Sequence, residues 1–135
     1  MNKKNTSALC GNKTLFKTQI NASVVSTNKY NRLHWSKKHK LAKDYGWLVA
    51  IAIVQGNIQP VTVPAKIKFT LLKPNKAGVR DHMNLSAVEK IITDWFVKKR
   101  VFKDDSPDYI ASTELEIKID PEIKEQVIIY EALEA

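Results

Sequence analysis

Apolar and polar residues alternate along Ala65–Lys73, with Ile67, Phe69 and Leu71 on one side and Lys66, Lys68 and Thr70 on the other. Successive side chains of a strand point to opposite faces, so this stretch predicts a half-buried strand. The same alternation predicts a strand over Tyr109–Ile119, with Leu115, Ile117 and Ile119 against Glu114, Glu116 and Lys118. Leu15–Ala22 reads as a first strand and Gln126–Tyr130 as a last one, followed by a short tail over Glu131–Ala135. Two other stretches repeat at helical spacing instead: Leu41, Tyr45, Leu48 and Ala52, then Leu85, Val88, Ile92 and Trp95. The first predicts a helix capped by Ser36 and running to about Gln55, weakened but not broken by Gly46. The second predicts a helix from Asn84 or Ser86 to Lys99. Turn-forming residues fill the gaps: Ser23–Asn31 reads as a loop, Gly56–Pro64 as a connector, and Pro74–Gly78 and Asp120-Pro121 as turns. The order β-α-β-α-β-β predicts an α/β (mixed α+β) class, with one domain over 15–135 built on a mixed sheet and two main helices. Residues 1–14 read as a flexible polar tail.

Size and charge narrow the functional classes. A chain of 135 residues suits one domain with a real core. Its net charge of +8 favours a polyanionic partner, nucleic acid first and an anionic surface second. The charge is uneven: residues 1–45 carry ten Lys or Arg and a single acid, Asp44, while residues 46–135 are close to neutral. The polyanion footprint is therefore expected in the N-terminal third, and cation-binding acids in the remainder. Cys10 is the sole cysteine, which leaves no disulfide within one chain and suits a reducing cytoplasm. The longest apolar run, Trp47–Val54, is far below the ~20 residues of a membrane span. Lys3 and Lys4 have no apolar run behind them, so no signal peptide and no membrane partner are expected.

Within the basic third, Tyr30 to Lys40 interleaves aromatic, His and Lys/Arg residues. Lys37, Lys38 and Lys40 fall in the first turns of the predicted helix, where they can lie along a phosphate backbone. The alternative is a solvated lysine face with Trp35 packed into the core. His34 and His39 read as surface or backbone-contacting groups rather than metal ligands.

Asp81 precedes the second helix, and Asp104 and Asp105 follow it. Magnesium prefers hard oxygen donors, keeps several waters and takes one or two carboxylates. In phosphodiester cleavage such an ion activates water and neutralises charge on the phosphate. Carboxylates converging from both ends of one helix suit that chemistry, with Lys90 as a nearby cation. Glu89 and Thr93 share a helix face, and Lys90 and Asp94 are neighbours one turn apart. Structural readings stand beside this one. Asp81 or Asn84 can cap the helix; Ser86-Ala87-Val88-Glu89 fits a capping box; Lys90–Asp94 can be an ordinary helical ion pair; and Asp104–Pro107 can be a turn.

The ordered set resembles the RusA-type Holliday-junction resolvases, small endonucleases of phages and prophages. That family carries Asp-x-Asp-Asn, then a Lys followed four residues later by Asp, then an Asp-Asp pair after ten more. Here Asp81 stands at the first acid and Asn84 at the Asn. Lys90 and Asp94 keep the step of four, and Asp94 to Asp104 the step of ten, with Asp105 second in the pair. Ser26-Thr27-Asn28-Lys29-Tyr30 and His34-Trp35-Ser36-Lys37-Lys38 resemble the family's Ser/Asn loop and basic helix, so the likeness covers roughly residues 20–130.

The resemblance implies a homodimer that binds four-way junctions and other branched DNA and cuts it with Mg²⁺, Mn²⁺ being an alternative ion, in recombination and repair. By position, Asp81 and Asp105 are the metal-binding acids and Lys90 the catalytic lysine, with Asp94 and Asp104 supporting. Asn28, Lys29, Arg32, His34, Lys37, Lys38, Lys40 and Arg80 form the implied DNA-binding set. The chain departs from the pattern twice. Met83 replaces the second acid of Asp-x-Asp, and a thioether is a poor magnesium ligand. The step from Asn84 to Lys90 is also three residues longer than is common in the family, which makes Asn84 and Glu89 candidates for the missing oxygen donor. Two rival readings are a non-catalytic junction-binding protein on the same fold and a partner-binding phage accessory protein.

Overall fold

The alternating stretches form one four-stranded mixed sheet of β1 (Thr14–Ile20), β2 (Ala65–Lys73), β3 (Ile110–Ile119) and β4 (Val127–Glu134), ordered β1-β4-β2-β3. The computed structural model describes residues 13–135. β4 runs antiparallel to both β1 and β2, while β2 and β3 are parallel, with Phe69 opposite Leu115. A parallel pair needs a crossover connection. That connection carries the acidic stretch: a 3-10 turn (His82–Leu85) leading directly into helix α3 (Ser86–Lys98). Between β1 and β2 lie a short helix α1 (Thr27–Arg32) and the long helix α2 (Trp35–Gly56). The predicted class and mixed sheet hold.

Sequence period decides what is buried. Ile67, Phe69 and Leu71 of β2, with Ile128, Tyr130 and Ala132 of β4, form the inner face of the sheet, and all six are buried. Val49 of α2 and Val88, Ile92 and Phe96 of α3 are fully buried in the same core. Burying one such side chain contributes about 1.5–3 kcal/mol, and an aromatic cluster of Phe16, Phe96, Phe102 and Tyr130 adds ring contacts, the closest being Phe96–Tyr130 at 4.7 Å between centroids. The outer face carries charge instead: Glu116 faces Lys68 and Lys118, each at 3.8 Å.

Several boundaries differ from the sequence expectation. Residues 27–32 are helical rather than loop, because the Ser26 side chain accepts from Lys29 N–H and caps a single-turn helix. α2 begins one residue before Ser36, and its cap is His34, whose Nδ1 accepts from Ser36 N–H at 3.2 Å. Trp35 is 73% exposed and does not enter the core. The tail expected at Glu131–Ala135 is instead the continuation of β4 to Glu134, paired with β1 and β2. Most of the tail expected over 1–14 lies outside the described residues, and Thr14 already belongs to β1.

The Ser86–Glu89 capping box does not form. The 3-10 turn runs straight into α3, so Leu85 occupies the cap position with no side-chain bond. Thr27 of α1 supplies the missing partner: its Oγ1 accepts from Ala87 N–H at 3.1 Å and lies 3.0 Å from Ser86 Oγ. The other end of α3 closes on a Schellman arrangement. Val101 N–H donates to Phe96 O and Arg100 N–H to Val97 O, with Arg100 in the left-handed region at φ 65°. Val101 and Phe102 are then buried, which turns the chain back along α3.

Candidate active site

The turn after α3 delivers Asp104 and Asp105 to the side of the helix. Lys90 sits in the second turn of α3, and its ammonium bridges two carboxylates, donating to Asp94 Oδ1 at 3.1 Å and to Asp105 Oδ2 at 2.9 Å. Asp104 Oδ1 accepts from Asp105 N–H at 2.7 Å and fixes the backbone of the acidic pair. The hydrogen bond from Lys90 holds the Asp105 carboxyl below the usual carboxylate range. Reciprocally, Asp105 and then Asp94 push the Lys90 ammonium above the ordinary lysine value. All three groups reach solvent, so Lys90, Asp94 and Asp105 form an open, ion-paired cluster.

Asp81 is positioned separately. It caps the 3-10 turn, with Oδ1 accepting from Met83 N–H at 3.0 Å, while its backbone carbonyl accepts from Asn84 N–H. The preceding loop is pinned from inside. Lys73, at the end of β2, is 1% exposed, and its ammonium donates to Val79 O. Burial lowers the Lys73 pKa, and the neighbouring Arg80 lowers it further. Arg80 Nε donates back to Lys76 O at 3.0 Å, and Gly78 takes φ 81°, a conformation that suits a residue without Cβ.

This loop and α1 enclose an open cleft lined by Ser26, Lys29, Arg80, Asp81, Asn84 and Gln126, among others. Two members of the implied DNA-binding set, Lys29 and Arg80, thus join two of the implied site residues, Asp81 and Asn84. Of the remaining set, Asn28, Arg32, His34, Lys37 and Lys40 are exposed on or beside α1 and α2. Lys38 lies over the Tyr30 ring, 5.2 Å from its centroid.

Glu89 turns inward. Thr93 Oγ1 donates to Glu89 Oε2 at 2.6 Å and lies 2.7 Å from the buried Tyr130 hydroxyl. Burial raises the Glu89 pKa, opposed by the Thr93 bond and by Lys90. Burial also raises the Tyr130 pKa.

The chemistry of the donors bears on the implied magnesium. Asp81 and Asp105 are exposed hard-oxygen donors, and the ammonium seated between Asp94 and Asp105 marks a spot already suited to a cation. One or two carboxylates with water is a donor set magnesium accepts. Met83 is 59% exposed and brings sulfur, not oxygen. Among the described residues, no three His, Cys, Asp or Glu side chains are grouped as metal donors.

No protein-family model and no curated protein matches this chain. Among the described residues, no helix is long and apolar enough to cross a membrane. The site therefore has to be read from its own groups. Three of these are not among the site residues the sequence suggests: Thr27, Lys73 and Tyr130. Thr27 and Tyr130 act through contacts across 60 and 37 residues, which no local spacing reports. Lys73 did carry a signal, because it continues the inward alternation of Ile67, Phe69 and Leu71.

Proposed function

We propose that the chain is a magnesium-dependent endonuclease for branched DNA, of the RusA type its motif resembles. The observation that carries this reading is the Lys90 ammonium held between Asp94 and Asp105, since it gathers three motif positions from both sides of the α3 turn. Asp81 and Asp105 would hold the ion, which when bound supplies Lewis-acid activation of water and phosphate. Lys90 presents a cation to the scissile phosphate and stabilises charge as it develops. Asp94 and Asp104 orient Lys90 and Asp105. Lys29 and Arg80, in the cleft beside Asp81, take backbone phosphates of the DNA arms, with the basic face of α1 and α2 extending that grip. A homodimer, as the resemblance implies, would pair two such sites on a four-way junction.

The test is nicking of a synthetic four-way junction in Mg²⁺ or Mn²⁺ by the wild-type protein and by Asp105→Asn. Loss of nicking with retained junction binding supports the assignment; equal cleavage by both removes Asp105 from the site. Met83 favours a second reading, a junction-binding protein without cleavage. It predicts a gel shift with the junction, weakened steeply by salt, and no nicking in either ion.

A further inference from the structure

An aromatic pocket lies on the outer face of α2 and α3, lined by Lys43, Gly46, Trp47, Ala50, Trp95 and Lys99. Its floor is built by an unusual approach. Gly46 lets the Trp95 indole lie directly on the α2 backbone, where a Cβ would stand 2.5 Å from Trp95 Cε2. Trp95 Nε1 donates to Ala42 O at 2.8 Å, so the ring is locked in orientation as well as position. Its wall is Trp47, which is 71% exposed. Lys43 of α2 and Lys99, the residue that follows α3, complete the lining, and Lys98 Nζ sits 4.5 Å from the Trp95 ring centroid.

We propose that this pocket stacks an unpaired nucleobase on Trp47, with Lys43 and Lys99 taking the phosphates on either side of it; the inference rests on the reading of the chain as a DNA-acting protein. A planar, exposed indole between cations is the combination that binds single strands without sequence preference. Charge complementarity favours this occupant over a second copy of the chain. The residues lining the pocket include two lysines and no acid, so an identical lining brings no charge to offset them. A polyphosphate strand neutralises them instead. Branched DNA supplies such bases wherever pairing is interrupted at the branch.

The test compares binding of a 15-mer oligo(dT) with an abasic strand of equal length, by fluorescence anisotropy, for wild type, Trp47→Ala and Trp47→Phe. Wild type is expected to bind oligo(dT) roughly 5- to 150-fold more tightly than the abasic strand, the range set by one stacked base. Trp47→Ala erases that preference, Trp47→Phe keeps much of it, and Lys43→Glu weakens both strands. Because Trp47 is exposed, these variants fold, which circular dichroism checks. Equal affinity of wild type for the two strands overturns the proposal, as does an unchanged preference in Trp47→Ala. So does sedimentation showing that Trp47→Ala splits a dimer while the preference persists, since the face then belongs to a second copy. Junction binding separates this inference from the functional reading. A protein that shifts the junction but ignores the base loses only the pocket assignment, whereas one that binds no DNA loses both.

Discussion

Lys90 and Asp105 are fifteen residues apart in the chain, and their charged atoms meet at 2.9 Å. The contact depends on how α3 ends. Arg100 in the left-handed region stops the helix, and Phe102 anchors the returning chain in the core. Lys90→Met removes the bond that depresses Asp105. The Asp105 carboxyl is then expected to titrate closer to the usual carboxylate value, measured by carboxyl-carbon NMR against pH. The sign for stability follows. A depressed folded pKa contributes stability above the ordinary carboxylate range and loses it as pH falls through the folded value. Wild type and Lys90→Met should therefore converge in stability in strong acid and differ at neutral pH. Junction nicking by Lys90→Met should fall by orders of magnitude, and an unaffected rate sinks the catalytic role of this lysine.

Much of this arrangement was legible in the sequence because it follows from period and short spacing. The alternation in Ala65–Lys73 placed Ile67, Phe69 and Leu71 in the core, although Thr70 on the other side of β2 is buried as well, and the step of four between Lys90 and Asp94 survives as a hydrogen bond. Contacts between elements were not legible. Ser86 and Glu89 have the spacing of a capping box, yet the 3-10 turn ahead of them leaves no extended residue to act as the cap, and Thr27 takes over from 60 residues upstream. Glu89 is drawn inward for a related reason: Thr93, one turn along, offers a bond beside the Tyr130 hydroxyl. Its candidacy as a metal donor came from spacing alone, and its partners lie toward the core.

Thr27 joins α1 to the start of α3 through one hydroxyl, which leads to a direct stability test. Thr27→Val keeps the shape and leaves Ala87 N–H without its partner. An N-terminal helix donor stripped of its side-chain acceptor destabilises by about 1 kcal/mol. Urea denaturation should show that loss, and Thr27→Ser should recover most of it. A Val variant as stable as wild type would mean that water satisfies Ala87 equally well.

Glu89 gives a pH signature of opposite sign to Asp105. Burial raises its folded pKa, so its ionisation opposes folding. Its unfavourable effect is absent below the unfolded value near pH ~4.3 and grows as pH rises through the folded value. Glu89→Gln keeps an acceptor for Thr93 and removes the charge. The variant is expected to be more stable than wild type at neutral pH and to match it in acid, by denaturant titration at the two pH values. A variant less stable at neutral pH would show that the charge is needed, through Lys90 or a bound cation.

Gly46 sits in the middle of a 22-residue helix, where alanine would ordinarily stabilise by about 1 kcal/mol. Here the opposite is expected. An added Cβ meets Trp95 Cε2 at 2.5 Å, and the ring is held against that spot by its bond to Ala42 O. Overpacking against a rigid neighbour destabilises by roughly 1–3 kcal/mol, enough to outweigh the gain in helix propensity. Gly46→Ala should therefore lower the melting temperature by a few degrees. The cause can be isolated by removing the obstacle. In a Trp95→Leu background the alanine no longer meets a fixed ring, so its effect should shrink to zero or reverse. That non-additivity is the expected mark of two residues in contact. An equal loss in both backgrounds would place the defect in the α2 backbone and not in its contact with α3.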